Sequence, residues 1–471
     1  MDFEKLILGI DIGTSSVKIS LLDSWTSKSV YAKSVPTKAK INPSHQNGDE
    51  QDVVKILKAM RECFKSPGKI MEKIKIDQLS DSDKVKAIGI CGQMHGIVFW
   101  NEQFVQTFWD SEFTNETEKL VSNLYTWQDA RTDLKFLTKL PKPRSHLKAY
   151  SGYGCNTIFW LKENQPEILS NFKQCGTIQD LIVSILCNQG KPVMSTHNAA
   201  SWGYFDVIDC SWNTDILIEA NFPVHLLPSV VQPGINVGTL YETIYHIPKG
   251  AVVGVALGDL QCSVIATLTA MTDAVINIST SAQVAFVAKT IETQCDGIEY
   301  FPYFENQFLA VAASLNGGNV LDFFVKSVLS WVSVLGLTIT EDELWNRLLQ
   351  LSPDENSTPL IVNPLIFGER HDPTTFGSLM NVTNNNLTLS ELFSGFCKGL
   401  INNLLKMMPR EMLLKAGIQR IIGSGSVITR NHIIKKEIEH CFNLPLIVKM
   451  PEDSAFGVAL ALLKNNPYLF S

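Results

Sequence analysis

Two stretches of one design, set far apart, constrain this chain more than any other feature. Residues 6–22, LILGIDIGTSSVKISLL, read as a β-strand ending near Asp11, a hydroxyl-rich turn at Gly13-Thr14-Ser15-Ser16, and a returning strand from Val17. Residues 275–283, VINISTSAQ, align without gaps on residues 9–17, GIDIGTSSV. Ile10, Ile12, Thr14 and Ser15 recur as Ile276, Ile278, Thr280 and Ser281, and Asp11 recurs as its isostere Asn277. One hairpin near the start of each half predicts two similar α/β domains, their turns gripping one polyphosphate from opposite sides of a cleft. Glycine in such a turn lets backbone N–H groups approach a ligand closely. Consecutive N–H groups form an anion-binding concavity, and Thr14, Ser15 and Lys18 add donors and positive charge. A carboxylate beside phosphate repels it unless a cation stands between them, so Asp11 predicts Mg²⁺, bound directly or through water. Without its twin, the first stretch reads equally as an ordinary hairpin.

The chain of 471 residues is too long for one ordinary core, so two or three domains are expected. A Pro/Gly turn at Pro248-Lys249-Gly250 marks the expected boundary, giving domains 1–249 and 250–471. Acidic residues outnumber basic ones by 47 to 40, a formal charge of −7 that argues against nucleic acid as a partner. The ten cysteines form no CxxC pair and no Cys/His ligand spacing, as expected of reduced, mostly buried thiols. No uninterrupted apolar run reaches the roughly 18 residues of a membrane span, and the opening MDFEK lacks a signal-like pattern. A cytoplasmic monomer or homodimer with no membrane partner is expected.

Between the hairpins, residues 51–65 show helical spacing through Val53, Ile56, Leu57, Met60 and Phe64, and residues 69–84 read as a charged, exposed stretch. Residues 85–91 read as a strand running into Gly92-Gln93-Met94-His95-Gly96, the place where open α/β sheets set ligand contacts. His95 is either such a contact or a locally satisfied histidine. Residues 102–119 read as a loop. In LYTWQDARTD, Asp129 either caps a helix or joins Arg131 in binding sugar hydroxyls, with Trp127 as an apolar wall. Residues 251–257, AVVGVAL, read as one buried strand ending at Gly258-Asp259. Asp259 is either a helix N-cap or a general base facing the phosphate turns.

Further on, residues 321–335 and 389–408 read as helices. IIGSGSVITRN is a strand, a Gly/Ser loop and a helix start, suited to a nucleotide base or to a plain connection. Residues 453–463 read as a closing helix on that strand, and Gly368-Glu369-Arg370-His371 is a charged loop without assigned use. No Walker A lysine, zinc-protease or GxSxG motif occurs.

In this order the pieces resemble the FGGY carbohydrate kinases, within the actin-like (ribonuclease H-like) ATPase superfamily, over nearly the whole chain. GIDIGTSSVK resembles the first phosphate motif, NISTSAQ the second and GSGSVITRN the adenosine motif. GQMHG and WQDAR resemble the sugar-binding elements, and GD of GDLQ the catalytic aspartate. The resemblance implies an α/β chain of two ribonuclease H-like domains with an interdomain active-site cleft. It further implies ATP held by Thr14, Ser15, Lys18, Thr280 and Ser281, with the base near Gly423, Ser424, Gly425 and Asn431. Asp11 would position Mg²⁺ through water. A ketose would lie against Gln93, Met94, His95, Trp127, Asp129 and Arg131, and Asp259 would take the proton from its terminal hydroxyl.

Thr157 and Cys397 depart from the family signatures, and Leu260 stands where glycerol kinases have glutamine, which disfavours glycerol. The stretches GQMHGIVFW, GCNTIFWL, NAASWGYF, FPVHLLP and AASLNGGNVL are most similar to kinases of a seven-carbon ketose, with a five-carbon ketose as the alternative. A filament-forming or chaperone ATPase of the same superfamily would share the hairpins but would not need GQMHG, WQDAR and Asp259.

Overall fold

A computed structural model describes residues 5–43, 45–73, 85–109, 113, 118–245, 247–292, 297–351, 360–369, 372, 374–449 and 453–470. Most of the charged stretch expected at 69–84 lies outside them, as do Arg370 and His371. The chain divides into two compact units. The first comprises Met1–Ala266, Phe301–Asn306 and Glu452–Ser471; the second comprises Thr267–Tyr300 and Gln307–Pro451.

The first unit is built on strands β1 (Leu6–Ile12), β2 (Ser16–Asp23), β3 (Lys28–Pro36), β4 (Val85–Gly92), β5 (Asn236–Thr239), β6 (Val252–Gly254) and β7 (Leu257–Gly258). They run in the order β5-β6-β4-β1-β2-β3, with β7 also paired to β4. The β1–β2 and β2–β3 pairs are antiparallel, while β4 lies parallel to β1 and β6 parallel to β4. Every residue of β1 is buried, so helices must cover both faces. Helix α1 (Val53–Lys73) presents Val53, Ile56, Leu57, Met60 and Phe64 to the same core as β1, β2 and helix α2 (Ile178–Cys187). Thr177 and Asp180 close the start of α2 as a capping box.

Several expectations shift here. The run 251–257 is two short strands, β6 and β7, followed by helix α3 (Asp259–Thr267). The turn at 248–250 joins β5 to β6, an antiparallel pair within the first sheet, and so marks a hairpin rather than a domain boundary. The division falls after Ala266, and Asp259 belongs to the first unit. Residues 102–119, expected as a loop, begin with a helix at Glu102–Thr107.

The second unit repeats the plan with β8 (Asp273–Ile278), β9 (Ala282–Ala288), β10 (Ile298–Pro302, of which residues 298–300 fall in this unit), β11 (Phe308–Ser314), β12 (Arg420–Ser424) and β13 (Leu446–Val448), ordered β10-β11-β9-β8-β12-β13. Again a hairpin (β8–β9) has an antiparallel third strand on one side and two parallel strands on the other. Helices α4 (Gly318–Val334), α5 (Leu389–Met407), α6 (Ser426–Arg430) and α7 (His432–Phe442) supply Phe324, Phe393, Leu400, Ile428, Ile438 and Phe442 to its core.

The gap-free match of the hairpins ends at the turn. Ile12 pairs with Val17 and Asp11 with Lys18, whereas Ile278 pairs with Ala282 and Asn277 with Gln283. The first turn is therefore one residue longer, and Gln283 occupies the place of Lys18.

Helix α8 (Ser454–Asn465) was expected on the 421 strand, but it packs on the first sheet. Ala459 and Leu462 meet Ile7, Leu22 and Ala87. Glycines permit the approach: a Cβ on Gly9 would lie 1.8 Å from the Ala455 carbonyl oxygen, and one on its strand partner Gly89 would lie 3.0 Å from Val458.

Candidate active site

In the first unit, three acids meet where the sheet ends. Asp11 is the penultimate residue of β1, Asp259 opens α3, and Asp453 caps α8 by accepting from the Phe456 N–H at 2.9 Å. The Ser454 hydroxyl donates to the Asp259 carbonyl at 3.2 Å, joining the starts of α3 and α8. The Asp11 carboxylate is 5 % exposed, with Lys18 Nζ 3.9 Å away across the hairpin. Its pKa is raised to about 7, first by burial and then by the charges of Asp259 and Asp453, against the pull of Lys18. Asp259 is half-buried and accepts the Leu260 N–H at 2.8 Å. Burial raises its pKa to about 6, opposed by that N–H and by Lys18. These are carboxyls tuned towards neutrality, the range a general base needs.

The Gly92–Gly96 loop lies beside them. A Cβ on Gly258 would come within 2.7 Å of the Met94 sulfur, so the residue before Asp259 packs directly on this loop. His95 is half-buried and holds a left-handed backbone, φ 74°, a conformation that persists only where its surroundings enforce it. Its Nδ1 is 3.0 Å from the Ser201 carbonyl, and its ring stacks on Tyr153 with centroids 4.6 Å apart. Gln93 is buried. Its Nε2 donates to Gln51 Oε1 at 3.1 Å, and Gln51 Nε2 donates to the Thr14 carbonyl at 2.8 Å, tying the Gly92–Gly96 loop to the hairpin turn. Trp127 Nε1 donates to the Thr14 hydroxyl at 3.2 Å, a second tie. Ser15 is exposed at the tip, its carbonyl accepting from the Thr37 N–H.

Asp129 and Arg131 are placed differently from their neighbours. Arg131 reaches both Asp129 oxygens at 2.8 Å and Glu50 at 2.5 Å, and stacks over Tyr125 and Trp160. Asp129 also accepts the Asp49 N–H at 2.9 Å. The pair is buried and bidentate, so its visible work is to hold the wall that carries Trp127.

In the second unit, Ser279, Thr280 and Ser281 are exposed on the turn, which is backed by the Gly318 N–H donating to the Ser279 carbonyl at 2.7 Å and the Asn319 N–H to that of Thr280 at 3.0 Å. Asn277 Nδ2 donates to the Ser424 hydroxyl at 3.1 Å. Gly423 and Ser424 are buried in β12, and Gly425 follows at φ +98°, where a Cβ would lie 2.3 Å from the Ile278 carbonyl. Asn431 is buried as the cap of α7 and donates to the Cys397 sulfur at 3.3 Å. A cavity of about 1040 Å³ opens among Thr280, Asn319, Trp345, Val427, Arg430 and Asn431.

Sequence reasoning passed over Gln51, Tyr153, Asp453 and Trp345, whose roles come from contacts across long separations. Glu369 is a buried structural carboxylate, accepting from Ser314, the Leu315 N–H, Asn316 and Asn403. Thr157 is buried on the helix Gly154–Asn164. Among the described residues, no cluster of three or more His, Cys, Asp or Glu side chains forms a metal cage, and no helix is long and apolar enough to cross a membrane.

The family model described as the N-terminal domain of the FGGY family of carbohydrate kinases matches residues 6–266. The chain belongs to the FGGY family. It is 40 % identical to sedoheptulokinase of Mus musculus, covering 98 % of this chain and 97 % of that protein, and 39 % identical to that of Homo sapiens, covering 98 % of each. Solved structures share the fold. A xylulose kinase from Rhodospirillum rubrum superposes with a TM-score of 0.80 at 16 % identity, over 97 % of this chain and 89 % of that one. Plasmodium falciparum glycerol kinase with ADP gives 0.76 at 18 % identity, over 99 % and 90 %. The expected actin-like ATPase fold is thereby established.

Proposed function

We propose that this FGGY-family chain transfers the γ-phosphoryl group of ATP to the terminal hydroxyl of a ketose, with sedoheptulose as substrate and sedoheptulose 7-phosphate as product. The sedoheptulokinase relatives span both chains almost end to end, and they support this sugar over xylulose, whose kinase from Haemophilus influenzae is 22 % identical. One observation carries the chemistry: Asp259, with its carboxyl at about 6, follows the glycine that packs on the Met94-His95 loop.

In this reading the ketose lies against Met94, His95 and Trp127. Asp259 accepts the hydroxyl proton as that oxygen bonds to the γ-phosphorus and the bond to ADP breaks. The cavity beside Thr280 takes the nucleoside, with Trp345 and Val427 as its apolar walls. Mg²⁺ would neutralise the phosphates when bound. The buried, partly uncompensated Asp11 carboxylate fits a cation that keeps most of its ligands as water and phosphate oxygen. Positioning and charge neutralisation do most of the work in such a transfer, and the base adds to them.

The scheme requires the nucleotide held by the second unit to present its γ-phosphate to Asp259. Small-angle scattering should therefore show compaction when sugar and nucleotide bind together. The substrate is tested by ADP release with sedoheptulose, D-xylulose, D-ribulose, gluconate and glycerol. The highest kcat/KM is expected for sedoheptulose; preference for any other sugar overturns that assignment while leaving the kinase reading intact.

A further inference from the structure

The first unit holds a second hollow, of about 1030 Å³, that shares no lining residue with the acids or the sugar loop. Lys162, Lys173 and Lys191 line it, together with His225, and Phe172 and Phe222 form apolar wall. No carboxylate lines it, although the chain as a whole carries seven more acidic than basic residues. The acids closest in sequence, Glu163 and Glu167, are exposed and outside the lining. Lys162 is held in place by donating to the Ala220 carbonyl at 3.3 Å, and no ion pair with a described carboxylate engages any of the three lysines. Like charges gathered in one concavity repel one another unless an anion joins them, and lysine ammonium groups suit phosphate as point charges. The volume matches that of a small-metabolite site, and the aromatic and proline walls suit a ring stacked beside the charged group.

We propose that this hollow binds a phosphomonoester metabolite, at a site separate from the kinase site. The shared chemistry is a phosphate dianion on a small ring, which a sugar phosphate or a nucleotide supplies.

Binding of ribose 5-phosphate and of AMP to the full chain would be measured by calorimetry with ADP·Mg²⁺ saturating, in the wild type and in K173Q/K191Q. Both lysines are exposed, so the variant should fold and keep its basal kinase activity. At least one probe should bind the wild type saturably and the variant roughly tenfold more weakly, with an affinity that falls as salt rises. The probe that binds more tightly identifies the source. Equal affinity in both proteins, or no saturable binding of either probe to the wild type, overturns the proposal. Neither result bears on the sugar panel, so the two readings fail separately.

Discussion

The two hairpins share a backbone and differ in charge. Across the first, Asp11 faces Lys18, and on its parallel side it faces Cys91. Across the second, Asn277 faces Gln283, and on its parallel side it faces Ser424, whose hydroxyl accepts from the Asn277 amide. The hairpin with ionisable side chains belongs to the unit that holds Asp259, while the other hairpin carries neutral ones beside an open cavity whose lining includes Arg430, Asp322, Glu341 and Asp342. In the proposed reading the same fold carries two jobs. Phosphate oxygens are best met by N–H and O–H donors without opposing charge, whereas a cation and a transferable proton need carboxylates.

Several substitutions would break or sharpen that contrast. The largest effect is expected from Asp259→Asn, with kcat lower by about 10²–10⁴-fold and ATP affinity unchanged within about twofold. Parallel loss of ATP affinity would mean that the first unit is not confined to acid–base work. Next is Asp11→Asn, which gives the first hairpin the side chain of the second. Mg²⁺-dependent turnover should fall steeply, yet metal-free stability at pH 8 should rise by roughly 1–3 kcal/mol. The sign follows from the raised carboxyl. Its stabilising proton is fully present below about pH 4 and is lost as pH rises through about 7, so the metal-free wild type should weaken over that interval. A thermal melting temperature that does not change with pH in both proteins would contradict this.

Gly9→Ala forces a Cβ against the Ala455 backbone and should cost the upper part of the ~1–3 kcal/mol typical of overpacking, read as a lower melting temperature. Asn277→Asp is the reverse swap and the mildest. With no Lys18 counterpart opposite it, the added carboxylate should weaken nucleotide binding a few-fold without changing the pH profile of transfer.

Much of this was legible from local sequence because hairpins write themselves locally. The β-prone runs, the Gly-Thr-Ser turn and its Ser-Thr-Ser twin announced both sheets, and Asp259 was recognisable as a residue between strand and helix. What local sequence does not record depends on partners far along the chain. Pro248 and Gly250 look like a boundary because turn chemistry is identical within and between domains. The small residues of α8 fit glycines on β1 and β4, hundreds of positions earlier, and nothing near residue 455 records that. Asp129 reads as a helix cap or, with Arg131, as a sugar contact, and the ion pair that Arg131 makes with Asp129 and Glu50 has no local sequence signal. The one-residue difference between the turns emerged only from strand register.

The central claim is that a carboxyl at about 6 in the first unit takes the sugar's proton. Single-turnover phosphoryl transfer to sedoheptulose, followed by rapid quench from pH 5 to 8, tests it most directly. The wild-type rate should climb about tenfold per unit at low pH and level off above about pH 6, and Asp259→Asn should be slow and flat throughout. A wild-type rate that stays level from pH 5 to 7, or a variant that keeps the wild-type rate, would contradict the account.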